Sequence, residues 1–567
     1  MLVDYRVNLS GFRDKPLRMW PYLVLILVAL VYNYAFLDQG YSAVLDEGFL
    51  QVQAKRILSG QRLYFDFYYL KPPLPIYIQA GLIALWGDAY DIMTARIFLV
   101  LQLLTLVIVW SLLYRRFVKS WELCLLLLMS YIVVSLLLSF PWYSYDGVFF
   151  TTIGALFFVK KRYLLSGFMI FLATMCKQNY FLVIPLVIVM LFVVRVFVKS
   201  AEVTGLASIP RMLAGFLLPA AIYAIYLQYQ GGWEVFFYNI YSIPREFEAA
   251  SLAFTVYQDI PTAVKSSFPL LAAIIVSYYI PKSKWPLAAV VLGILIFFGY
   301  DTVTVSKSFI YFLICLNYTI TILWLIEYRA RHRDTALVGT KDLPILVFLA
   351  LIIQYMACFN FGGLFFSYMG AAMALPFSYI LLRNYAYSPY RKIIAVALLL
   401  LVIAVSLFHK YSFVYHDAPR HHLTAEFGAE KLAGIKSTPR NVRHVEGILS
   451  TIDSLSEKGD YIFVFPDYAP LYYLADRKNP APVDWFYKVS WYSAAEAKFG
   501  IIAESVRALQ QNKPKIILTN STEIPEQLRA FIEKEYEQIK SINEISVFTH
   551  KKELPAQGSE RTSKEPS

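Results

Sequence analysis

The chain has 567 residues, of which 58% are hydrophobic and only 16% are charged. With a mean hydropathy of +0.52, this composition is too apolar for a soluble protein and predicts a polytopic membrane protein. The net charge of +12 does not indicate a nucleic-acid partner, because the lysines and arginines mostly form short clusters between apolar runs, where they set topology. The four cysteines lie inside apolar segments, so neither a disulfide framework nor a zinc site is indicated.

Apolar stretches follow one another from the N-terminus to about residue 409. A basic segment precedes the first stretch and no small-residue cleavage site follows it, so this stretch is predicted to be a retained span. The stretches lie at 19–37, 72–87, 92–114, 121–140, 142–159, 163–180, 181–198, 211–229, 267–280, 286–304, 308–326, 343–361, 366–383 and 391–409.

The positive-inside rule indicates that one of these stretches does not cross. With a cytoplasmic N-terminus, Arg115 and Lys160 would lie outside if every stretch crossed. The stretch 72–87 is short and begins with prolines, which favours an interfacial or re-entrant helix. Without it about thirteen spans remain, and the region after the last span is predicted to be extracytoplasmic. The other connections on that side are 38–91, 141–146, 177–180 and 231–266.

From about residue 411 the composition becomes that of a soluble domain. Strands are predicted at 460–465, 515–519 and 544–551, and helices at 494–511 and 525–539. The predicted fold is therefore a polytopic α-helical membrane protein with a small C-terminal extracytoplasmic α/β domain. Its parts are a transmembrane domain over 1–410, the α/β domain over 411–554 and a disordered polar tail over 555–567.

Two acids, Asp46 and Glu47, precede a predicted helix in the first extracytoplasmic connection. The helix carries apolar residues on one face and polar residues on another, which is typical of a helix lying at a membrane interface. The polar residues are Gln51, Lys55, Arg56 and Ser59. On local pattern Asp46 is an N-cap and Glu47 a first-turn acid. Asp146, in "YDG", falls at the same predicted boundary, where it caps the next span or joins Asp46 in a site.

Three cations lie at the same predicted membrane face. Lys71 stands before "PPLP", where it either snorkels or binds a lipid phosphate. Lys177, in "CKQ", also fits snorkelling. Arg245 lies in "NIYSIPREFEAAS", which fits an amphipathic surface helix and a substrate contact equally well.

Aromatic residues supply the remaining candidates for substrate binding. Tyr69 ends the run "YFDFYY" and Tyr145 precedes Asp146, where such rings either stack on a sugar or belong to an interfacial belt. The sequence contains no Walker motif, dinucleotide fingerprint, His-based zinc motif or nucleophile elbow. Chemistry is therefore expected from acids, cations and aromatic rings.

Taken together, "LDEGFLQVQAKRILSGQRLYFDFYYLKPPLPIYIQAGLIALWG", "YDG", "CKQ" and the trailing domain with "FVFPDYAPLYYLADRKNPAP" resemble bacterial GT-C glycosyltransferases. The group that the chain resembles most is that of the protein O-mannosyltransferases and lipid A aminoarabinose transferases. The motifs that carry the resemblance lie in the first 180 residues. The family also has about thirteen spans, which agrees with the topology.

The resemblance implies transfer of a sugar from a polyprenyl-phosphate donor. By motif, Asp46 corresponds to the essential acid, Lys71 to the lysine that contacts the donor phosphate, and Asp146 to a second acid near the active site, with Glu47 as the neighbouring acid. Single displacement with inversion is expected, in which Asp46 accepts the acceptor's proton. The enzyme would be a hexosyl- or pentosyltransferase of the bacterial inner membrane, acting on a glycolipid, polysaccharide or protein.

Other classes remain open. A transporter or flippase of lipid-linked sugars also fits many spans, and an O-antigen polymerase or ligase shares the lipid-linked substrate. A noncatalytic receptor would leave Asp46, Lys71 and Asp146 without a shared purpose. No cofactor is indicated with certainty, and a divalent cation shared by the acids is a hypothesis without ligand spacing to support it.

Overall fold

The structure of the protein is a computed structural model. It describes residues 19–41, 46–198, 208–245, 260–279, 288–294, 306–331, 342–358, 367–385, 390–486, 500–520 and 524–551. The predicted tail at 555–567 lies outside the described residues, as does the start of the helix predicted at 494–511.

Helices dominate the chain up to Ser412. They are α1 (Trp20–Phe36), α2 (Phe49–Leu58), α3 (Leu74–Trp86), α4 (Ile92–Tyr114), α5 (Ser120–Val134), α6 (Tyr143–Val159), α7 (Tyr163–Thr174), α8 (Val183–Val198), α9 (Ser208–Gln230), α10 (Trp233–Phe237), α11 (Ile260–Tyr279), α12 (Ser306–Arg331), α13 (Leu343–Cys358), α14 (Tyr368–Tyr385) and α15 (Arg391–Ser412). Every apolar stretch predicted from the sequence contains helical residues, including 286–304, where residues 288–294 are helical.

Several of these helices have the composition of membrane spans. Within the described ranges, five are long and apolar enough to cross: Ile92–Phe117, Gln178–Arg195, Ser208–Gln230, Ser308–Glu327 and Arg391–Ser412. Shorter apolar helices of 10–17 residues include α1, α3, α5, α6 and α7. The chain is therefore a multi-pass helical membrane protein. The total of about thirteen spans stays a prediction.

The chain divides into two compact units. The first comprises Met1–Gln39, Leu70–Pro75 and Met93–His421, and the second comprises Gly40–Tyr69, Ile76–Ile92 and His422–Ser567. Most of the predicted connection 38–91 thus groups with the C-terminal region rather than with the helices that flank it in sequence.

Polar side chains link helices inside the first unit. Asn317 Nδ2 donates to Gln354 Oε1 at 2.7 Å, and Ser378 Oγ donates to Asn317 Oδ1 at 2.6 Å, so that α12, α13 and α14 share one buried network. Trp110 is fully buried and its indole N–H donates to the carbonyl of Met373 at 2.8 Å. Such bonds fix neighbouring helices where apolar packing alone discriminates poorly.

The second unit contains a four-stranded sheet. Its elements are β1 (Ala425–Glu426), β2 (Lys436–Ser437), α16 (Pro439–Leu455), β3 (Ile462–Phe465), α17 (Pro470–Leu474), α18 (Ile501–Asn512), β4 (Ile516–Thr519), α19 (Glu526–Glu535), β5 (Tyr536–Ile542) and β6 (Ile545–His550). The strand order is β3-β4-β6-β5, with β3 and β4 parallel and the other pairs antiparallel. β1 and β2 form a separate antiparallel pair.

Prediction and structure agree on three strands of this sheet and differ on the fourth. The strands predicted at 460–465, 515–519 and 544–551 are confirmed as β3, β4 and β6. The helix predicted over 525–539 is wrong beyond residue 535, where the chain turns into β5, which pairs with β6. This strand lies at a sheet edge, exposes five consecutive residues and lacks an alternating apolar pattern, so pairing with β6 decides its conformation.

Candidate functional site

The "KPPLP" segment is fixed to "MCKQN" by main-chain and side-chain hydrogen bonds within the first unit. The backbone N–H of Leu74 donates to the carbonyl of Met175 at 2.9 Å. The Gln178 side chain donates to the carbonyls of Leu70 at 3.5 Å and Ile240 at 3.3 Å. Gln178 thus links two motifs that the sequence presents far apart, and this positioning role is not evident from the motif alone.

Two lysines converge on one tyrosine ring as a result. The Lys71 ammonium lies 5.5 Å from the centroid of the Tyr143 ring, and the Lys177 ammonium lies 5.9 Å from the same centroid. Their exposed fractions are 8% for Lys71 and 2% for Lys177. Cation–π attraction at this distance is strengthened where water is displaced. The two motifs therefore each place a buried ammonium group near the same ring.

Asp146 lies on the same helix as that ring, three residues after Tyr143. Residues at this spacing share one face of a helix. Asp146 is buried and its Oδ1 accepts a hydrogen bond from the Gln102 side chain at 2.7 Å. The N-cap of α6 is Trp142, which makes no side-chain cap bond. Asp146 is therefore not the N-cap of α6, although it is an acid in the first turn of that helix.

The glycine of "YDG" is required by close packing. A Cβ built on Gly147 would come within 2.4 Å of the Tyr180 ring, far inside van der Waals contact. Tyr180 is fully buried and follows "CKQ" by two residues. The two motifs that carry Asp146 and Lys177 therefore also pack against each other through Gly147 and Tyr180.

Two of the predicted substrate-binding residues differ in their surroundings. Tyr145 is fully buried, and its hydroxyl lies 3.1 Å from the carbonyls of Val134 and Leu138 and 3.0 Å from the hydroxyl of Tyr368. Its position on α6 thus serves packing between helices. Arg245 is exposed at the end of the described range 208–245.

Asp46 and Glu47 belong to the second unit, where they form a turn before α2. The N-cap of α2 is Gly48, with φ +97° and no side-chain cap bond. The N-cap role predicted for Asp46 is therefore wrong, and so is the first-turn position predicted for Glu47, which precedes the N-cap. Glu47 is buried and Asp46 half-buried. A Cβ on Gly48 would lie 3.0 Å from the Cβ of Pro470 in α17, so the acidic turn packs tightly on the C-terminal region. Only glycine adopts this backbone conformation without strain.

The polar face of α2 is buried in part, since Gln51 and Arg56 are buried whereas Lys55 is half-buried and Ser59 is exposed. The prediction of a helix lying at a membrane interface stays a prediction. Arg56 donates to Asp484 Oδ1 at 2.7 Å and to the carbonyl of Ala481 at 3.1 Å. Asn479 donates to the same carboxylate oxygen at 2.8 Å, and Gln53 donates to Oδ2. All four polar side chains are buried. Local amphipathicity could not show this, because the partner carboxylate lies far along the chain.

Aromatic side chains surround the start of α2. Phe49 lies 6.5 Å from Tyr69 and 5.6 Å from Trp485, measured between ring centroids. Tyr69 is therefore placed beside the helix that follows the acidic turn. Trp485 is a residue that the sequence did not single out, and the only signal in its favour is its position directly after Asp484 in a mostly apolar run.

Within the described residues, no group of three or more His, Cys, Asp or Glu side chains could hold a metal ion. The divalent cation therefore stays a hypothesis that rests on the sequence alone.

No protein-family model matches the chain, and no curated protein matches it. Several solved structures do match the chain. The oligosaccharyltransferase of Archaeoglobus fulgidus tethered with an acceptor peptide is 11% identical, with a TM-score of 0.46 and alignment over 92% of this chain and 72% of that chain. ArnT from Cupriavidus metallidurans bound to undecaprenyl phosphate is 11% identical, with a TM-score of 0.44 and alignment over 94% and 98%.

Both are GT-C superfamily glycosyltransferases. A third similar structure is the oligosaccharyltransferase AglB from Archaeoglobus fulgidus with an inhibitory peptide and dolichol-phosphate, at 11% identity, a TM-score of 0.44 and alignment over 95% of this chain and 75% of that chain.

Proposed function

We propose that the protein is a membrane glycosyltransferase that moves a sugar from a polyprenyl-phosphate donor to an extracytoplasmic acceptor. The observation that supports this most is the convergence of Lys71 and Lys177 on the Tyr143 ring, with Asp146 on the same helix face. Two buried ammonium groups suit a ligand with more than one negatively charged oxygen, such as a phosphate. Binding a lipid phosphate inside the protein requires buried positive charge, which these two lysines supply.

The chemistry of transfer explains why cations and acids are both needed. The bond between the anomeric carbon and the phosphate oxygen breaks while the acceptor oxygen forms a new bond to that carbon. Lys71 and Lys177 stabilise the negative charge that develops on the departing phosphate. Asp46 accepts the proton of the acceptor hydroxyl, as the sequence resemblance implies, and Glu47 is its neighbouring acid. Attack from the face opposite the phosphate inverts the anomeric centre.

The remaining candidates receive different assignments in this proposal. Asp146 shapes the electrostatics of the cationic position, held by its hydrogen bond from Gln102. Tyr145 acts in packing, because its hydroxyl is bonded between helices. Arg245 is assigned no role in binding the donor. The enzyme works in the bacterial inner membrane with its C-terminal domain extracytoplasmic, and its acceptor is a glycolipid, polysaccharide or protein of the cell envelope.

A test of donor use begins with the purified full-length protein and a panel of polyprenyl-phosphate sugars. Release of polyprenyl phosphate, followed by mass spectrometry, identifies the donor. We expect release with one sugar and transfer of a single residue. Absence of turnover together with flux of the lipid across vesicles would favour the alternative of a flippase, and transfer of a polymer would favour a polymerase or ligase.

The cationic position is tested with bare polyprenyl phosphate. Lys71→Met and Lys177→Met should each weaken its binding about 10- to 150-fold, which corresponds to the loss of a charge-assisted hydrogen bond of about 1.5–3 kcal/mol. Lys160→Met, at an exposed position, is the control and should bind as the wild type does. Equal affinity in all three variants would remove the phosphate assignment.

The role of the base is tested separately. Asp46→Asn should lower the transfer rate about a hundredfold to ten-thousandfold, the usual contribution of a general base, while lipid phosphate still binds. Asp66→Asn, in the same connection but exposed, should retain the rate. Near-full transfer by Asp46→Asn would show that another group accepts the proton.

A further inference from the structure

The second unit holds a group of aromatic side chains that combines two distant parts of the chain. Phe49, three residues after Asp46, lies within 5.6 Å of the Trp485 ring and 6.5 Å of the Tyr69 ring. Phe49 and Trp485 are half-buried, whereas Tyr69 is buried. The group is therefore partly open to solvent rather than part of a closed core.

A carboxylate is fixed at the edge of this group. The indole N–H of Trp485 donates to Asp467 Oδ1 at 3.0 Å. Asp467 is itself half-buried, and burial raises the pKa of its carboxyl above the ordinary value, with the Trp485 hydrogen bond opposing this shift. A carboxylate has about four acceptor positions on its two oxygens. The indole bond engages one of them and orients the whole group.

The backbone on both sides of Trp485 is held in place. On one side Asp484 is bonded to Arg56 at 2.7 Å and to Asn479 at 2.8 Å. On the other side Phe486 is buried to 1% exposure, and its backbone N–H donates to the carbonyl of Pro466 at 2.8 Å. The Trp485 ring is thus preorganised, which reduces the entropy lost on binding a ligand.

This combination has the chemistry of a sugar-binding position. The face of an aromatic ring attracts the C–H groups on the apolar side of a sugar ring, through its negative π-system and its contact area. A carboxylate at the ring edge accepts hydrogen bonds from sugar hydroxyls, and a few placed polar groups of this kind orient a ligand. An apolar core role explains Phe486 but does not explain a half-exposed indole bonded to a half-exposed carboxylate.

We propose that Trp485, Asp467 and Phe49 form a saccharide-binding subsite that stacks one sugar ring on Trp485 and binds its hydroxyls at Asp467. The subsite deepens the proposed function and rests on it, since it assigns a substrate-binding role to the C-terminal region. The sugar belongs either to the lipid-linked donor or to the acceptor glycan. Both sources present a pyranose or furanose ring, with C–H groups and hydroxyls, to the aromatic face.

Binding is measured on the full-length protein with methyl glycosides of glucose, mannose, galactose and arabinose, and with polyprenyl phosphate with and without a sugar. We expect Trp485→Ala and Asp467→Asn to weaken binding of the sugar-bearing ligand about tenfold or more. Trp485→Phe should retain most of the affinity because it keeps a ring. Trp86→Ala, at an exposed tryptophan of the same unit, is the control.

The two sources give different patterns. If the donor carries the sugar, the wild type binds the sugar-bearing lipid more tightly than bare polyprenyl phosphate, and Trp485→Ala binds the two lipids with equal affinity. If the acceptor carries it, Trp485→Ala binds both lipids as the wild type does but loses the methyl glycoside and raises the KM for the acceptor. Either pattern supports the subsite.

The subsite is excluded if Trp485→Ala and Asp467→Asn bind every sugar-bearing ligand with the affinity of the wild type. It is also excluded if the wild type binds no methyl glycoside and binds polyprenyl phosphate equally well with and without a sugar. Thermal unfolding of Trp485→Phe and Asp467→Asn checks that the fold is retained. Failure of the proposed function gives a different result, namely no binding of bare polyprenyl phosphate and no effect of Lys71→Met. The two failures are therefore separable.

Discussion

Removing the charge of Asp484 should loosen the helix that follows the acidic turn. Asp484 is 3% exposed and accepts hydrogen bonds from Arg56, Gln53 and Asn479. Asp484→Asn keeps the shape of the side chain but leaves the Arg56 guanidinium buried without its counter-charge. It also places an amide N–H₂ where one of the donors requires an acceptor.

The expected loss follows from the burial of the pair. Side-chain exposure is 9% for Arg56 and 0% for Asp484, and removing one partner of such a pair costs about 3–5 kcal/mol. A domain of 150–250 residues shifts in melting temperature by about 2–4 °C for each kcal/mol. The midpoint of the second unit should therefore fall by about 6–20 °C. An exposed pair contributes at most about 1 kcal/mol.

The assay is thermal unfolding of the full-length protein in detergent, together with the rate of sugar transfer. Asp66→Asn is the matched control, because its pair with Arg62 spans 3.1 Å in the same connection but is exposed. Its midpoint should fall by no more than about 4 °C. A second comparison uses Arg56→Met combined with Asp484→Leu, which removes both charges and should lose less stability than the two single losses added together.

Two results would contradict this reasoning. If Asp484→Asn melts within the range of Asp66→Asn, the buried pair does not hold the helix. If the double variant loses the full sum of the single losses, Arg56 and Asp484 act independently. Transfer should fall in Asp484→Asn more than binding of polyprenyl phosphate does, since the helix begins directly after the turn that holds the proposed base.

Three further predictions concern packing and pH. Gly147→Ala forces a methyl group into the Tyr180 ring and should destabilise the protein by about 1–3 kcal/mol, measured by thermal unfolding, with Gly147→Ala/Tyr180→Leu recovering part of the loss. Gly48→Ala should lower transfer and stability more than Gly60→Ala does: both have positive φ, but only the first meets a neighbouring proline, so equal losses would exclude that contact. Because burial raises the pKa of Asp467, ionisation of its carboxyl lowers the free energy of unfolding. The wild type should therefore lose stability relative to Asp467→Asn as pH rises above about 4, and an unchanged difference between pH 4 and pH 7 would contradict the shift.

Much of the helical architecture was predictable because it depends on local composition. The apolar stretches each contain helix, and the strands β3, β4 and β6 follow their own residue patterns. β5 was not predictable in the same way, since its residues lack a buried alternating pattern and pair with β6 at an edge. The missed strand thus reflects tertiary pairing that overrides weak local preference.

The residue types of the candidate site could also be selected from the sequence, but their assignments could not all be made. Lys71, Lys177 and Asp146 stood out as charges at the ends of apolar stretches, where charge is costly. Their arrangement around Tyr143 required two separate segments to dock on one another. Tyr145 and Tyr143 have the same local sequence context, yet the hydroxyl of Tyr145 is buried between helices.

The sequence by itself determined that this is a helical membrane protein and which short segments carry its charges, because both follow from composition and spacing along the chain. Only the tertiary structure decided that two lysines far apart in the chain approach one ring, and that Gln53 and Arg56 of α2 are buried against Asp484. The physical reason is that a buried charge is tolerated only beside particular partners, and those partners come from distant segments that folding brings together.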